Sequence, residues 1–322
     1  MAYPSAEMVL TPEAQAFADE WLGPLDYIQA HTSGSTGSPK PVKLFKSDMR
    51  LSARATLSFF GLGSGSMLLL PLSPTYIAGK MQIVRAFMGG CSLICETPRN
   101  NPFATLSPDR VPTSSMVAIV PSQIEGLMQS PAFRKFGNIL IGGASIPPHM
   151  EEKLLKIKAN AWVSYGMTET CSHVALRKLG TTAYKPLPGF TFTLDSRGCL
   201  VISSGAMSFG QIVTNDMVHI HPDNSFEFLG RYDNVINSGG YKIHPEQVEK
   251  SFSYHIPQGY TAYVTSRASD KWGEEAVIVT DWPELSMDHL SDILSISRPK
   301  DIIFREAIPR TDSGKIIREK LR

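Results

Sequence analysis

The chain has 322 residues, with 31 Lys and Arg against 30 Asp and Glu, for a formal charge of +1. Its 42% hydrophobic residues supply core material for about two domains, which excludes a disordered chain, a collagen-like repeat and a polybasic nucleic-acid tail. No apolar run approaches the ~18 residues of a membrane span, and the acidic, mixed stretch Met1–Glu20 does not read as a secretory signal. The expectation is a cytoplasmic protein with no membrane insertion and no nucleic-acid partner, as a monomer or a homo-oligomer.

In chain order, Tyr27–His31 reads as a strand leading into a loop. From about Phe45 onward, short apolar runs alternate with helical periodicity. Met67–Leu72, Ser92–Cys95, Met116–Val120, Asn138–Ile141 and Ala161–Ser164 read as buried strands, with helices over Ile77–Met88 and Pro147–Lys158. This alternation predicts an α/β layer fold with parallel strands. After Gly189 the runs Phe190–Leu194, Leu200–Ser203, Gln211–Val213, Val218–Ile220 and Phe226–Leu229 are short and alternating, and predict a small antiparallel region. Beyond Arg231, helices at Pro245–Tyr254 and Ser286–Ile296 and strands at Thr261–Thr265, Ala276–Thr280 and Asp301–Phe304 predict a small α+β unit. The expected division is a large domain over 1–230 and a small one over 231–322.

The strongest local chemistry lies in Thr32-Ser-Gly-Ser-Thr-Gly-Ser-Pro-Lys40. Two glycines among hydroxyl residues offer backbone N–H groups and hydroxyls to a nucleotide's phosphates. It is not the Walker form, because Ser-Pro-Lys follows the second Gly. A Gly/Ser linker is the alternative, against which stand the terminal Pro-Lys and the strand before it. The four cysteines are too few for a disulfide framework and lack paired C-x-x-C spacing, so they read as small core hydrophobes. His219, His221 and His244 suggest a metal only weakly, since no third ligand with zinc spacing accompanies them.

Thr32–Lys40 resembles the phosphate-binding signature of the adenylate-forming superfamily, which includes acyl- and aryl-CoA synthetases, luciferases and peptide-synthetase adenylation domains. Five further stretches resemble its motifs in the same order: Gly142-Gly-Ala-Ser145, Tyr165-Gly-Met-Thr-Glu-Thr170, Thr214-Asn-Asp216, Gly230-Arg-Tyr-Asp233 with Ser238-Gly-Gly-Tyr-Lys-Ile-His-Pro-Glu246, and Pro309-Arg-Thr-Asp-Ser-Gly-Lys315. The resemblance implies a large α/β domain with a small antiparallel region and a mobile C-terminal α+β domain. It implies ATP, Mg²⁺ and CoA as co-substrates and cofactor, and a small carboxylic acid as the partner. Thr32, Ser33, Gly34, Ser35, Thr36, Gly37 and Lys40 would hold the phosphates, and Gly142, Gly143, Ala144, Tyr165 and Gly166 the adenine side. Asp216 and Arg231 would take the ribose, Gly239 and Gly240 would face the site for CoA attack, and Asp233 would be the hinge. Thr168, Glu169 and Lys315 would be catalytic, with Glu169 a hard oxygen ligand for Mg²⁺. On the residues alone, Asp233 reads equally well as a turn cap.

The stretch Thr170-Cys-Ser-His173 resembles the o-succinylbenzoate–CoA ligases of menaquinone synthesis, which carry Ser-Gln there. Only about thirty residues precede the phosphate loop, where the family carries one or two hundred, so a reduced N-terminal subdomain is expected. Ser145 and His173 are candidate acid contacts. Lys80 either supplies a positive charge for a second carboxylate or is a helix-surface lysine. Another aryl or acyl acid, a carrier-protein thiol in place of CoA, and a non-catalytic adenylate-binding module remain open.

Overall fold

The computed structural model describes residues 6–31, 40–291, 293, 297–311 and 316–321. The chain falls into two compact units. The first runs through Ile146 and adds Met150–Thr191 and Ser203–Ile212; the second takes Pro147–His149, Phe192–Ile202 and the chain from Val213. The antiparallel strands that the sequence suggested for the large domain therefore group mostly with the C-terminal residues.

The first unit contains β1 (Met8–Val9), α1 (Pro12–Leu22), β2 (Tyr27–His31), β3 (Pro41–Phe45), α2 (Lys46–Phe60), β4 (Met67–Leu70), α3 (Ile77–Gly89), β5 (Ser92–Cys95), β6 (Ser115–Ile119), α4 (Ile124–Met128), β7 (Asn138–Ile141), α5 (Pro148–Lys156), β8 (Ala161–Met167), β9 (Ser172–Lys178) and β10 (Lys185–Pro186). Its main sheet has the order β1-β5-β4-β6-β7-β8-β9-β10. The strands are parallel from β1 to β8. Every residue of β4 and β6 is buried, as expected where a parallel sheet is covered on both faces. On one face Met67, Leu69, Val117, Ile119 and Ile141 enter a core with Phe103, Leu127 and Leu154. The chain leaves β4 toward β5 on one side, then returns to build β6, β7 and β8 on the other. Such a reversal opens a crevice at the strand C-termini where open α/β sheets bind ligands.

Two features of this unit depart from the sequence expectation. β8 runs on to Met167, so Tyr165 and Gly166 are strand residues, and β9 and β10 add an antiparallel edge. The helices α1 and α2 were not foreseen. In α1, Thr11 accepts from the Ala14 N–H at 3.3 Å and Pro12 opens the first turn. Ala14, Phe17, Ala18 and Trp21 then bury at helical spacing.

The second unit holds β11 (Thr191–Leu194), β12 (Cys199–Ser203), β13 (Gln211–Ile220) and β14 (Phe226–Arg231) in one sheet, in that order. A second sheet has β15 (Ile236–Ser238), β16 (Tyr241–Ile243), β17 (Ala262–Ser269), β18 (Gly273–Thr280) and β19 (Ile302–Phe304), ordered β16-β15-β18-β17 with β19 on β18. Helix α6 (Pro245–Phe252) places Val248 and Phe252 in a core with Ile236, Val264, Ile278 and Leu290. Two expected strands, Gln211–Val213 and Val218–Ile220, are one. Thr214, Asp216 and Val218 alternate inward along β13, so Thr214–Asp216 is strand rather than turn, and a register shift falls between Met217 and Val218. The helix expected over Ser286–Ile296 is a single 3₁₀ turn at Met287–Leu290, where His289 Nδ1 caps the Ser286 N–H at 3.1 Å; 292 and 294–296 lie outside the described residues.

Candidate active site

The turn joining β8 to β9 is held from inside. The Thr170 hydroxyl, fully buried, accepts from the Met167 N–H at 3.0 Å and donates to the Ser172 carbonyl at 2.7 Å. From α2, the Ser52 hydroxyl donates to the Cys171 carbonyl at 3.0 Å. Between these anchors Cys171 and Ser172 have φ of 54° and 98°, conformations that L-residues adopt only at a cost of order 1–3 kcal/mol each. Gly166 is required for a different reason. A Cβ there would sit 2.5 Å from His173 Cα and clash with the Ser172 carbonyl, because β9 crosses it at a bulge. The turn presents Thr168 and Glu169, whose side chains make no hydrogen bond or ion pair among the described residues. Glu169 is half-buried, so an unpaired carboxylate and a neighbouring hydroxyl stand together.

Beside this turn lies a cavity of about 60 Å³ at the C-terminal ends of β6 and β7. Leu72, Val120, Gly142, Gly143 and Ser164 line it, with Ala78 and Arg85 from α3 and Ser172 and His173 from β9. Arg85 is 1% exposed. Its Nη1 donates to Gln82 Oε1 at 3.3 Å, and its Nη2 to Ser172 Oγ at 3.3 Å with His173 Nδ1 at 3.5 Å. Its Nε has no hydrogen-bond partner, and no carboxylate pairs with it among the described residues. Burial without a counter-ion pushes its pKa down to about 9, still cationic at neutral pH.

His173, also fully buried, meets Thr56 Oγ1 through Nε2 at 2.9 Å. Burial first, then the charge of Arg85, hold its pKa well below the usual histidine value, so the ring is neutral. Thus His173 does line the cavity, but both ring nitrogens already have neighbours. Arg85 and Thr56 were missed in the sequence. The available signal was a cation on the face that Ala78 and Gln82 share with Arg85 at helical spacing.

Lys80 is elsewhere. Its ammonium lies 4.4 Å from the centre of the Phe17 ring and 4.0 Å from Glu20 Oε2, both on α1, and it does not line the cavity. Gly142–Ser145 forms the loop after β7; Gly142 and Gly143 reach the cavity, while Ala144 and Ser145 are exposed. Tyr165 packs edge-on against Tyr184 with ring centres 5.9 Å apart. Lys40 is exposed just before β3. Thr32, Ser33, Gly34, Ser35, Thr36, Gly37 and Lys315 lie outside the described residues; β2 and β3 on either side of the first six pair antiparallel with His31 opposite Pro41.

The second unit carries the remaining candidates. Asp216 and Arg231 face each other across β13 and β14, and Arg231 Nη1 donates to Asp216 Oδ1 at 3.1 Å. Its Nη2 donates to Asp233 Oδ2 at 2.9 Å. Asn215 Nδ2 reaches the same Asp233 carboxylate at 3.2 and 3.3 Å. The residue that departs from the family's Thr-Gly-Asp thus binds the expected hinge. Gly239 and Gly240 are exposed between β15 and β16; Gly239 has φ 57°, and a Cβ there would meet the Trp272 ring at 2.6 Å.

A family model described as AMP-binding enzyme matches residues 12–200, more than half of the chain. The chain belongs to the AMP-binding enzyme family. A solved acyl-CoA synthetase (AMP-forming)/AMP-acid ligase II-like protein from Dyadobacter fermentans is 35% identical to this AMP-binding enzyme. It covers 94% of this chain and 91% of its own, with a TM-score of 0.64. The o-succinylbenzoate CoA synthetase of Bacillus subtilis, solved with its acyl-adenylate intermediate, superposes with a TM-score of 0.79 over 90% of this chain and 67% of its own, at 22% identity. An indoleacetate–CoA ligase from Aromatoleum aromaticum is 24% identical over 94% of this chain and 68% of its own length. The fold is that of the adenylate-forming enzymes. Among the described residues no helix is long and apolar enough to cross a membrane.

Proposed function

We propose that this AMP-forming acyl-CoA synthetase activates an aromatic acid carrying a second carboxylate, most specifically o-succinylbenzoate, as its CoA thioester. The observation that carries this reading is Arg85. A guanidinium buried without a carboxylate partner is costly in a cavity whose other lining groups are uncharged. Its forked donors match a carboxylate in geometry and charge, and the cavity's 60 Å³ equals the share of about two waters, room for one carboxylate group. A simple monocarboxylate has its only carboxylate at the reacting end and would leave Arg85 unpaired.

In the proposed reaction the acid carboxylate attacks the α-phosphorus of ATP. The C–O–P bond of an acyl-adenylate forms as the bond to pyrophosphate breaks. CoA thiol then attacks the acyl carbon, and AMP leaves. The loop Thr32–Lys40 holds the phosphates, Asp216 accepts from the ribose hydroxyls, and Lys315 donates to the reacting carboxylate and phosphate. The unpaired carboxylate of Glu169 and the Thr168 hydroxyl fit a hard cation that keeps water and phosphate as its other ligands. Bound there, Mg²⁺ would neutralise charge on the phosphates. Residues 231–322 turn about Asp233 between half-reactions, so that Gly239 and Gly240 replace Lys315.

The test is ATP–pyrophosphate exchange across o-succinylbenzoate, indoleacetate, benzoate, acetate and a long fatty acid. A kcat/KM for o-succinylbenzoate at least 10²-fold above the others is expected. Equal or better exchange with indoleacetate or a fatty acid would replace the dicarboxylate reading with a monocarboxylate one.

A further inference from the structure

The contacts around Arg85 determine more than its charge. Its Nη2 faces His173 Nδ1 at 3.5 Å and Ser172 Oγ at 3.3 Å, and a donor can face that ring nitrogen only if it carries no proton. A neutral imidazole then has its proton on Nε2. At the far side of the ring Nε2 meets Thr56 Oγ1 at 2.9 Å, and that hydroxyl sits 3.1 Å from the Ser52 carbonyl in the preceding turn of α2. With its own proton spent on Ser52, the Thr56 oxygen is an acceptor, which is what an Nε2–H requires. Both ends of the ring fit that one tautomer. The chain of donors runs Arg85 to His173, His173 to Thr56, Thr56 to Ser52, with no donor facing a donor.

We infer that His173, fixed by Thr56 as its neutral Nε2–H tautomer, is a positioning residue that aims the Arg85 guanidinium at the acid's second carboxylate. The inference rests on the dicarboxylate reading above. In the opposite tautomer an Nδ1–H would confront the guanidinium, and in the doubly protonated ring a second buried cation would. Either would turn Arg85 away from this contact. Ser172 supports the same arrangement: its φ of 98° brings Oγ to 3.3 Å from Nη2 and 3.4 Å from His173 Nδ1. A strained backbone retained at this point is consistent with a requirement on where that oxygen sits. His173 thereby acts through Arg85, and Thr56 acts through His173.

The experiment compares o-succinylbenzoate with 4-oxo-4-phenylbutanoate, the same acid without the ring carboxylate, in ATP–pyrophosphate exchange. Thr56→Val, isosteric but unable to accept from Nε2–H, should raise KM for o-succinylbenzoate by roughly tenfold, as loss of one buried hydrogen bond does. Its kcat should change less than twofold, and kinetics with the monocarboxylate should stay at the wild-type values. Thr56→Ser, which keeps the hydroxyl, should restore the wild-type KM. His173→Leu should raise the dicarboxylate KM as Thr56→Val does. Equal losses with both acids would mean that Thr56 and His173 only support the fold, and would overturn the inference. If Arg85→Met raises the dicarboxylate KM while Thr56→Val and His173→Leu do not, the inference fails and the dicarboxylate reading stands. If Arg85→Met itself leaves that KM unchanged, the dicarboxylate reading fails. Should the variants not fold, the ¹⁵N shifts of His173 in the wild-type protein decide: an Nε2–H tautomer supports the assignment, and an Nδ1–H tautomer overturns it.

Discussion

Replacing Arg85 by Met should move binding and stability in opposite directions. Arg85 keeps its charge in the cavity although burial lowers its pKa from the ordinary guanidinium value to about 9. Holding the cation there without a counter-charge costs several kcal/mol, about 4. Against this stand its hydrogen bonds to Gln82 and Ser172, together about 2 kcal/mol. Methionine fills similar length with apolar atoms, so the free protein should gain roughly 2 kcal/mol of stability. The complex should lose far more. Removing one partner of a buried charge pair costs about 2–5 kcal/mol, so KM for o-succinylbenzoate should rise by roughly 10²-fold or more. Urea unfolding and ATP–pyrophosphate exchange read the two effects separately. A variant that is less stable, and that loses activity equally with 4-oxo-4-phenylbutanoate, would refute the reasoning, because Arg85 would then be a structural residue.

His173 predicts a pH dependence of stability. Its folded pKa is depressed while the unfolded ring takes its proton near 6.5, so this contribution is complete above ~6.5 and is lost as pH falls toward the folded value, at about 1.4 kcal/mol per pH unit. Unfolding of wild type and His173→Asn at pH 7, 6 and 5 should show the wild-type slope steeper by that amount below pH ~6.5; parallel slopes would contradict it. Gly166→Ala should cost roughly 3 kcal/mol or more, since the part of β9 that approaches it is backbone and cannot move aside as a side chain would; wild-type thermal stability would show that the bulge can open. Lys315→Ala should depress adenylate formation by roughly 10²-fold, while pre-made acyl-adenylate and CoA still give thioester at nearly the wild-type rate. Equal loss in both half-reactions would assign Lys315 to CoA binding or structure.

What could be read in the sequence follows from how each feature is built. The turn from Tyr165 to His173 is a contiguous stretch whose Gly, Thr and Glu keep their order in the fold, so its motif was recognisable before any geometry was known. The strands β5 and β7 were legible to the residue because three successive buried apolar residues follow a partly buried Ser92 or Asn138. The break expected between Gln211–Val213 and Val218–Ile220 is absent: Asn and Asp favour turns, yet the inward alternation of Thr214, Asp216 and Val218 holds the segment in β13.

The cation for a second carboxylate shows the limit more sharply. The sequence offered Lys80 for it, with a helix-surface lysine as the equal alternative, five residues before Arg85 on the same helix. Five residues at 3.6 per turn rotate a side chain by about 140°, from the cavity to α1. An amphipathic helix would have disclosed that phase through its polar stripe. Helix α3 is buried at every position from Gly79 to Ala86, Lys80 and Arg85 included, so its sequence carries no such stripe. Arg85 also meets its partners only through the fold, with Ser172 and His173 87 and 88 residues away, and His173 in turn lies 117 from Thr56. Motif chemistry could therefore suggest a cation near the acid, while which cation of α3 lines the cavity depended on a helix rotation that only packing sets.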